Sequence, residues 1–318
     1  MRARVALRIL TLASAFGLIA RPAGAGPWGL APREWYERVE SGVFSSPSVY
    51  LDSGLRADTG LVVERRTVSL YNELGWKQGM TFLFRLPAVS VTRRDDSRAK
   101  QATATGLQDL LVGMRFSLLQ GRVPTALEVA WTAPLGYNRN LDALGMGLGD
   151  GQQQLSVELH AGMEFLGRGF VQVSGGRVDR FLGTGGMVRA LYPVVRATRL
   201  ESDSALRANS DSERAVWSDR LAASADAAFW VSRSVLAGAR YRGFVTLSRG
   251  QLTPDINLHQ MGPMVLYRVD DRLDVYAGSW IATAGRNTSR ANEAYAGLAF
   301  HKTKLNRLQG FLGGKQGP

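Results

Sequence analysis

Apolar and polar residues alternate along most of the chain with a period of two, the pattern of a β-strand whose two faces meet different surroundings. From Leu155 to Phe165 one face carries Leu155, Val157, Leu159, Ala161, Met163 and Phe165, and the other Ser156, Glu158, His160, Gly162 and Glu164. The pattern recurs. Val68, Leu70, Leu74 and Trp76 oppose Thr67, Ser69, Tyr71 and Glu73. Met80, Phe82, Phe84 and Leu86 oppose Thr81 and Arg85. Leu110 to Leu118 on even positions oppose Asp109, Gly113, Arg115 and Ser117. Leu127, Val129, Trp131 and Ala133 oppose Glu128 and Thr132; Leu221 to Phe229 on odd positions oppose Arg220, Ser224 and Asp226. Ala294, Ala296, Leu298 and Phe300 oppose Glu293, Tyr295, Gly297 and His301. Weaker alternation covers 35–44, 170–176, 235–247, 260–268 and 273–283; in 260–268, Met264 and Leu266 fall on the polar face.

Short turns at Lys77-Gln78-Gly79, Gln120-Gly121-Arg122, Gly167-Arg168, Ser232-Arg233 and Asp270-Asp271-Arg272 alternate with longer polar segments. These are 47–64, 93–106, 138–153, 180–218, 249–256 and 285–291. Short turns at one end and long loops at the other are the outer-membrane arrangement, and an even strand number returns both termini to the periplasm. Aromatics near strand ends (Trp35, Trp76, Tyr137, Trp230, Tyr267) suit an interfacial girdle. The pattern predicts an all-β fold: a single antiparallel transmembrane β-barrel of about twelve strands. A secreted β-sandwich also alternates, but it gives no reason for this asymmetry of connections.

The first residues read differently. Arg2, Arg4 and Arg8 precede an apolar run, 9–20, and Ala23-Gly24-Ala25 supplies a small-x-small site. This is the order of an export signal, too short to span a bilayer. Cleavage is expected between Ala25 and Gly26, which divides the chain into a signal peptide (1–25), a barrel (26–302) and a basic periplasmic tail (303–318). The mean hydropathy of −0.10 excludes a helical membrane protein but not a barrel, whose strands alternate. Four of the twelve excess positive charges lie in the leader; the rest are scattered, not clustered on a stripe as nucleic-acid binding requires. The absence of Cys removes disulfides and thiolate chemistry.

If the apolar faces meet lipid and lipopolysaccharide, the polar faces line a lumen. Its candidate residues are Arg38, Glu40, Glu73, Arg85, Asp109, Arg115, Glu128, Glu158, His160, Glu164, Arg220, Asp226, Arg240, Arg242 and Glu293. Both signs occur in similar numbers. Most are expected to pair across strands, because interior charges need partners, while some set selectivity along a permeation path. Segment 180–218 either folds inward as a gate or is a solvated loop. Enzyme signals are missing: no G-x-S-x-G elbow, no H-E-x-x-H spacing, and three His at 160, 259 and 301. The glycine run 145–150 fails as a dinucleotide fingerprint at Asp150. No metal or cofactor is expected. Passive passage of a small solute is the leading function, with a structural or adhesive barrel acting through its external loops as the alternative, ahead of a lipid-active enzyme.

Three regions resemble the outer-membrane transporter family named for phenol degradation by the meta pathway. Gly26-Pro27-Trp28, Trp35-Tyr36 and Ser45-Ser46 resemble its opening strand. Gly106-Leu107-Gln108-Asp109, Gly113, Arg115 and Ala133-Pro134-Leu135-Gly136-Tyr137 resemble its G-x-x-D, G-x-R and P-x-G elements. Gln260-Met261-Gly262-Pro263, Leu266-Tyr267-Arg268 and Ala284-Gly285-Arg286-Asn287 resemble its closing strands. The resemblance implies a barrel proposed to pass small apolar or aromatic compounds. Tyr295, Gly297, Leu298 and Phe300 also resemble the terminal signal read by the barrel-insertion machinery, here followed by the tail.

Overall fold

A computed structural model describes residues 28–51, 53–58, 60–95, 100–135, 153–181, 219–247, 256–290 and 292–302. The expected leader with its Ala25–Gly26 junction, the tail, Tyr137 and most of segments 138–153, 180–218 and 249–256 lie outside the described residues.

Twelve strands form one antiparallel sheet that closes on itself. They are β1 (Trp35–Ser46), β2 (Leu61–Lys77), β3 (Met80–Asp95), β4 (Lys100–Leu107 continuing as Asp109–Leu119), β5 (Thr125–Pro134) and β6 (Gln153–Phe165). They continue as β7 (Gly169–Phe181), β8 (Arg220–Trp230), β9 (Val235–Thr246), β10 (Asn257–Arg268), β11 (Leu273–Arg286) and β12 (Asn292–Lys302). Each strand pairs with its neighbours in sequence, and β1 closes the ring against β12 from Trp35↔Lys302 to Ser45↔Asn292. Closure removes the free edges of the spanning part of the sheet, which a sheet inside hydrocarbon requires, while the extension Lys100–Leu107 pairs on one side only. The five short turns join strands at the end where β1 begins and β12 ends.

Alternation decides which side faces out. Val68, Leu74, Phe82, Val157, Leu159, Val173, Leu221, Met261, Ile281 and Leu298 are all exposed on the outer surface. In water that much bare aliphatic surface would drive association; in a bilayer it is matched to its solvent. Trp35, Trp76 and Tyr267 are also exposed, as a girdle requires. Trp230 departs from that expectation. Phe229 takes the outward position, so Trp230 turns inward and is only 7% exposed.

Two further departures have local causes. Segment 93–106 is not a long loop: β3 runs to Asp95 and β4 starts at Lys100. The alternation inverts there. Val89 and Val91 are buried inward with Val63 and Ala102, while Ser90, Thr92, Thr103 and Thr105 pair their hydroxyls on the exposed face. A hairpin rising beyond the lipid into water has its polar side out, so its residues read as loop. Within β4, register slips by one residue between Ala88↔Leu107 and Arg85↔Leu111. Pro87 has no N–H to give β4, and the bulge leaves its carbonyl to accept from the Gln108 N–H at 2.9 Å. Outside the ring, Val49–Tyr50 pairs with Arg56–Ala57 and Thr288–Ser289, and the Tyr50 hydroxyl donates to Ala282 O at 3.2 Å.

Candidate functional site

The inward faces enclose a cavity of about 600 Å³ to which all twelve strands contribute side chains. Its charged part is built from cross-strand neighbours. Arg115 on β4 stands opposite Glu128 on β5, and Glu128 opposite Glu158 on β6. The Arg115 guanidinium donates to Glu128 Oε2 at 2.8 Å and to both oxygens of Glu73 on β2 at 3.2 Å. Glu73 is 4% exposed and also accepts from the Tyr71 hydroxyl at 2.6 Å. His160 Nε2 lies 3.5 Å from Glu128 and 4.0 Å from Glu158. Ser174 donates to Glu158 at 3.3 Å. This chain of charge-assisted contacts ties β2, β4, β5 and β6 together from the inside.

A second group closes the opposite arc. Arg240 donates to Asp226 at 3.0 Å and to the Tyr295 hydroxyl at 3.2 Å, and Gln172 donates to Asp226 at 2.7 Å. Arg242 donates to Glu293 at 2.8 Å and Gln260 at 2.7 Å, with its guanidinium 4.3 Å above the Trp280 ring. Tyr276 and Tyr295 fit because glycines face them. Gly297 stands opposite Tyr276 and Gly278 opposite Tyr295, and a Cβ on either glycine would overlap the facing hydroxyl. Tyr276 donates to Glu40 at 3.0 Å, and Arg38 lies 4.0 Å from Glu40 and 5.2 Å above the Tyr71 ring.

The remaining sequence candidates share this face. Arg85 and Glu164 line the cavity. Asp109 opens the lower piece of β4 opposite Pro134. Arg220 stacks over Phe244 at 4.2 Å. Nine of the fifteen candidates line the cavity itself, and twelve are in contact with another candidate or with an aromatic ring.

Alternation did not disclose the apolar part of the same lumen. Ala228, Trp230 and Leu236 are buried together, with Phe170, Met264 and Leu266 packed against them. The Arg268 guanidinium covers Trp230 at 4.6 Å and donates to Asp274 at 3.2 Å, and His301 lies 3.3 Å from Asp274. Met264 and Leu266 carried the signal. They break the pattern of β10 because their inner neighbours are apolar. Trp28 also lines the cavity, its ring 6.1 Å from Phe170 and edge-on at 87°. Among the described residues no three of His, Cys, Asp and Glu converge to hold a metal ion.

No family model matches the chain, and neither does any curated protein. The fold is similar to the crystal structure of the COG4313 outer membrane channel from Pseudomonas putida F1, with a TM-score of 0.65 and 13% identity over 89% of this chain and 100% of that one. Looser likenesses include the translocator domain of the autotransporter NalP from Neisseria meningitidis (TM-score 0.47, 11% identity, 94% of this chain and 95% of that one) and the NanC porin (TM-score 0.46, 7% identity, 83% and 98%). Twelve closed strands, an apolar exterior and the first of these likenesses together identify the fold as that of an outer-membrane β-barrel.

Proposed function

We propose that the chain is an outer-membrane channel that passes small solutes through its lumen. The observation that carries this reading is the cavity of about 600 Å³ lined from every strand. That is within the range of about 300–1,000 Å³ typical of small-molecule sites. A barrel that served only as a scaffold gains nothing from keeping such a space while lining it with paired charges. The similar Pseudomonas putida structure is that of an outer membrane channel, which supports the same reading. The finer reading is that the solute is small and apolar or aromatic. The inner patch of Phe170, Trp230, Leu236, Met264 and Leu266 supports it, as does the resemblance to the phenol-degradation transporter family. Some of the fifteen candidates would then set selectivity while the others pair across strands, outer-membrane lipid and lipopolysaccharide would cover the outside, and the closing strand through Phe300 would engage the insertion machinery.

Reconstitution of the full chain tests this. Single-channel steps in planar bilayers, and swelling of vesicles in an isosmotic small sugar, are the expected results. A folded, heat-modifiable barrel that gives neither would return the chain to the structural or adhesive class. Block of the steps by added phenol would support the aromatic reading, and steps indifferent to it would remove that part alone.

A further inference from the structure

Two arginines of the inner wall lack the carboxylate partner that Arg115, Arg240 and Arg242 have. Arg38 on β1 stands opposite Tyr71 on β2, and Tyr71 opposite Arg85 on β3, so the two cations flank one phenol ring in a row across the wall. All three side chains line the cavity. The Arg38 guanidinium lies 5.2 Å from the centre of the Tyr71 ring and 5.9 Å from that of Tyr276 on β11, held by two aromatic faces. Neither hydroxyl serves it as an acceptor: Tyr71 donates to Glu73 at 2.6 Å and Tyr276 to Glu40 at 3.0 Å. Arg38 Nε is buried with no hydrogen-bond partner, and Glu40 Oε2, 4.0 Å away, is beyond hydrogen-bond reach. Arg85 is exposed to the lumen and, among the described residues, makes no ion pair or hydrogen bond. Asp109 and Glu40 attract it only from beyond ion-pair distance.

A guanidinium nitrogen taken out of water keeps its desolvation cost until an acceptor reaches it, and the arginine fork matches a carboxylate. The cavity that holds these two cations also holds the apolar patch of Phe170, Trp230, Leu236, Met264 and Leu266. One space therefore offers surplus positive charge on one wall and apolar surface on another. A neutral ring would leave the Arg38 nitrogen unmet, and a simple inorganic anion would leave the patch bare. We propose that Arg38 and Arg85 form an anion-binding subsite of the lumen that takes the carboxylate of a small aromatic acid, whose ring then lies against the tyrosine faces and the apolar surface. The inference rests on the channel reading above and deepens it by naming the charged group the solute carries and the two residues that select it.

Calorimetric titration of the full chain in detergent tests this with three probes: benzoate, its neutral isostere benzamide, and acetate, which keeps the charge and lacks the ring. Benzoate is expected to bind about tenfold or more tightly than either of the others, the factor that one charge-assisted hydrogen bond supplies. Arg38→Gln and Arg85→Gln should each weaken benzoate by a similar factor and leave benzamide unchanged. Heat-modifiability on gels confirms that each variant is folded, and Arg85→Gln, which breaks no contact, keeps the test open if Arg38→Gln does not insert. A folded parent that binds none of the probes, or binds benzamide or acetate as tightly as benzoate, would overturn the subsite, as would a folded Arg85→Gln chain with the parent's benzoate affinity. The expected binding pattern in a chain that gives no conductance steps would remove the channel reading and leave the subsite standing.

Discussion

The two sides of the lumen hold their shape by opposite means. From β2 to β6 the inner surface is a polar chain in which Arg115 on β4 bridges the carboxylates of Glu73 on β2 and Glu128 on β5, with His160 on β6 beside Glu128. From β7 to β10, towards the end where the short turns lie, it is a packed patch of Phe170, Ala228, Trp230, Leu236, Met264 and Leu266. The first side is stable only while every member is present, because a buried charge without its partner keeps its desolvation cost. The second loses stability in proportion to the apolar surface removed. A barrel interior is therefore not a single solvent, and a substitution should be judged by which side it falls on.

The largest effect is expected where the ionic side is broken at its centre. Arg115→Met leaves Glu73, 4% exposed, and Glu128 facing each other without a cation. The folded barrel should lose about 3–5 kcal/mol, read as a lower urea midpoint in lipid vesicles. Adding Glu73→Gln and Glu128→Gln to the same chain should return much of that loss. If the triple variant is no better than Arg115→Met, the penalty is one of shape and the contrast between the two sides fails.

Trp230→Ala probes the apolar side. Full burial of a tryptophan sets about 3–5 kcal/mol as the cost of truncation, and the lumen on one side of the ring lowers the expectation to about 2–3 kcal/mol. The loss should not depend on salt, whereas that of Arg115→Met should respond to it only weakly because the pair is buried. A Trp230→Leu chain as unstable as Trp230→Ala would mean that the ring is held by its Arg268 contact at 4.6 Å and not by packing.

How much of this could be read in advance follows from the same physics. The ionic side was legible because period-two alternation across a lipid boundary puts every charge on one face; Glu158 and His160 stand out in β6 for that reason. The apolar side was not, since Met264 and Leu266 look like errors in the pattern until their neighbours on β8 and β9 are known, and those pairings are non-local. Trp230 was assigned to the girdle because its position near a strand end fits both faces equally well. The hairpin of β3 and β4 was read as a loop because water on its outer side inverts the alternation. The residues just ahead of β1 offered only Trp28 and Leu30, two apolar side chains, as the signal that they pack against the barrel.

A smaller effect comes from the joint between the two arcs. Gly278→Ala places a methyl where the Tyr295 hydroxyl now lies. Overpacking should cost about 1–3 kcal/mol and loosen the Arg240–Tyr295 contact of 3.2 Å. Combining Gly278→Ala with Tyr295→Phe should recover only part of the loss, because the Tyr295 ring carbon Cζ at 2.6 Å and the Pro263 carbonyl at 2.7 Å still crowd the new methyl. No recovery would place the strain in the backbone of β11 instead.

The smallest effect is expected at the rim beyond the ionic side, where Arg177 on β7 donates to Asp219 at 2.7 Å. The geometry is as good as that of Arg115 with Glu128, but the Arg177 side chain is 59% exposed and water competes for both partners. An exposed pair gains little over its hydrated state and must hold two long side chains still. Arg177→Ala should therefore leave the urea midpoint unchanged within error, at low salt as at high salt. A clear loss that salt abolishes would show that ion pairs stabilise this barrel wherever they occur, and burial would no longer be what separates the Arg115 chain from the rest.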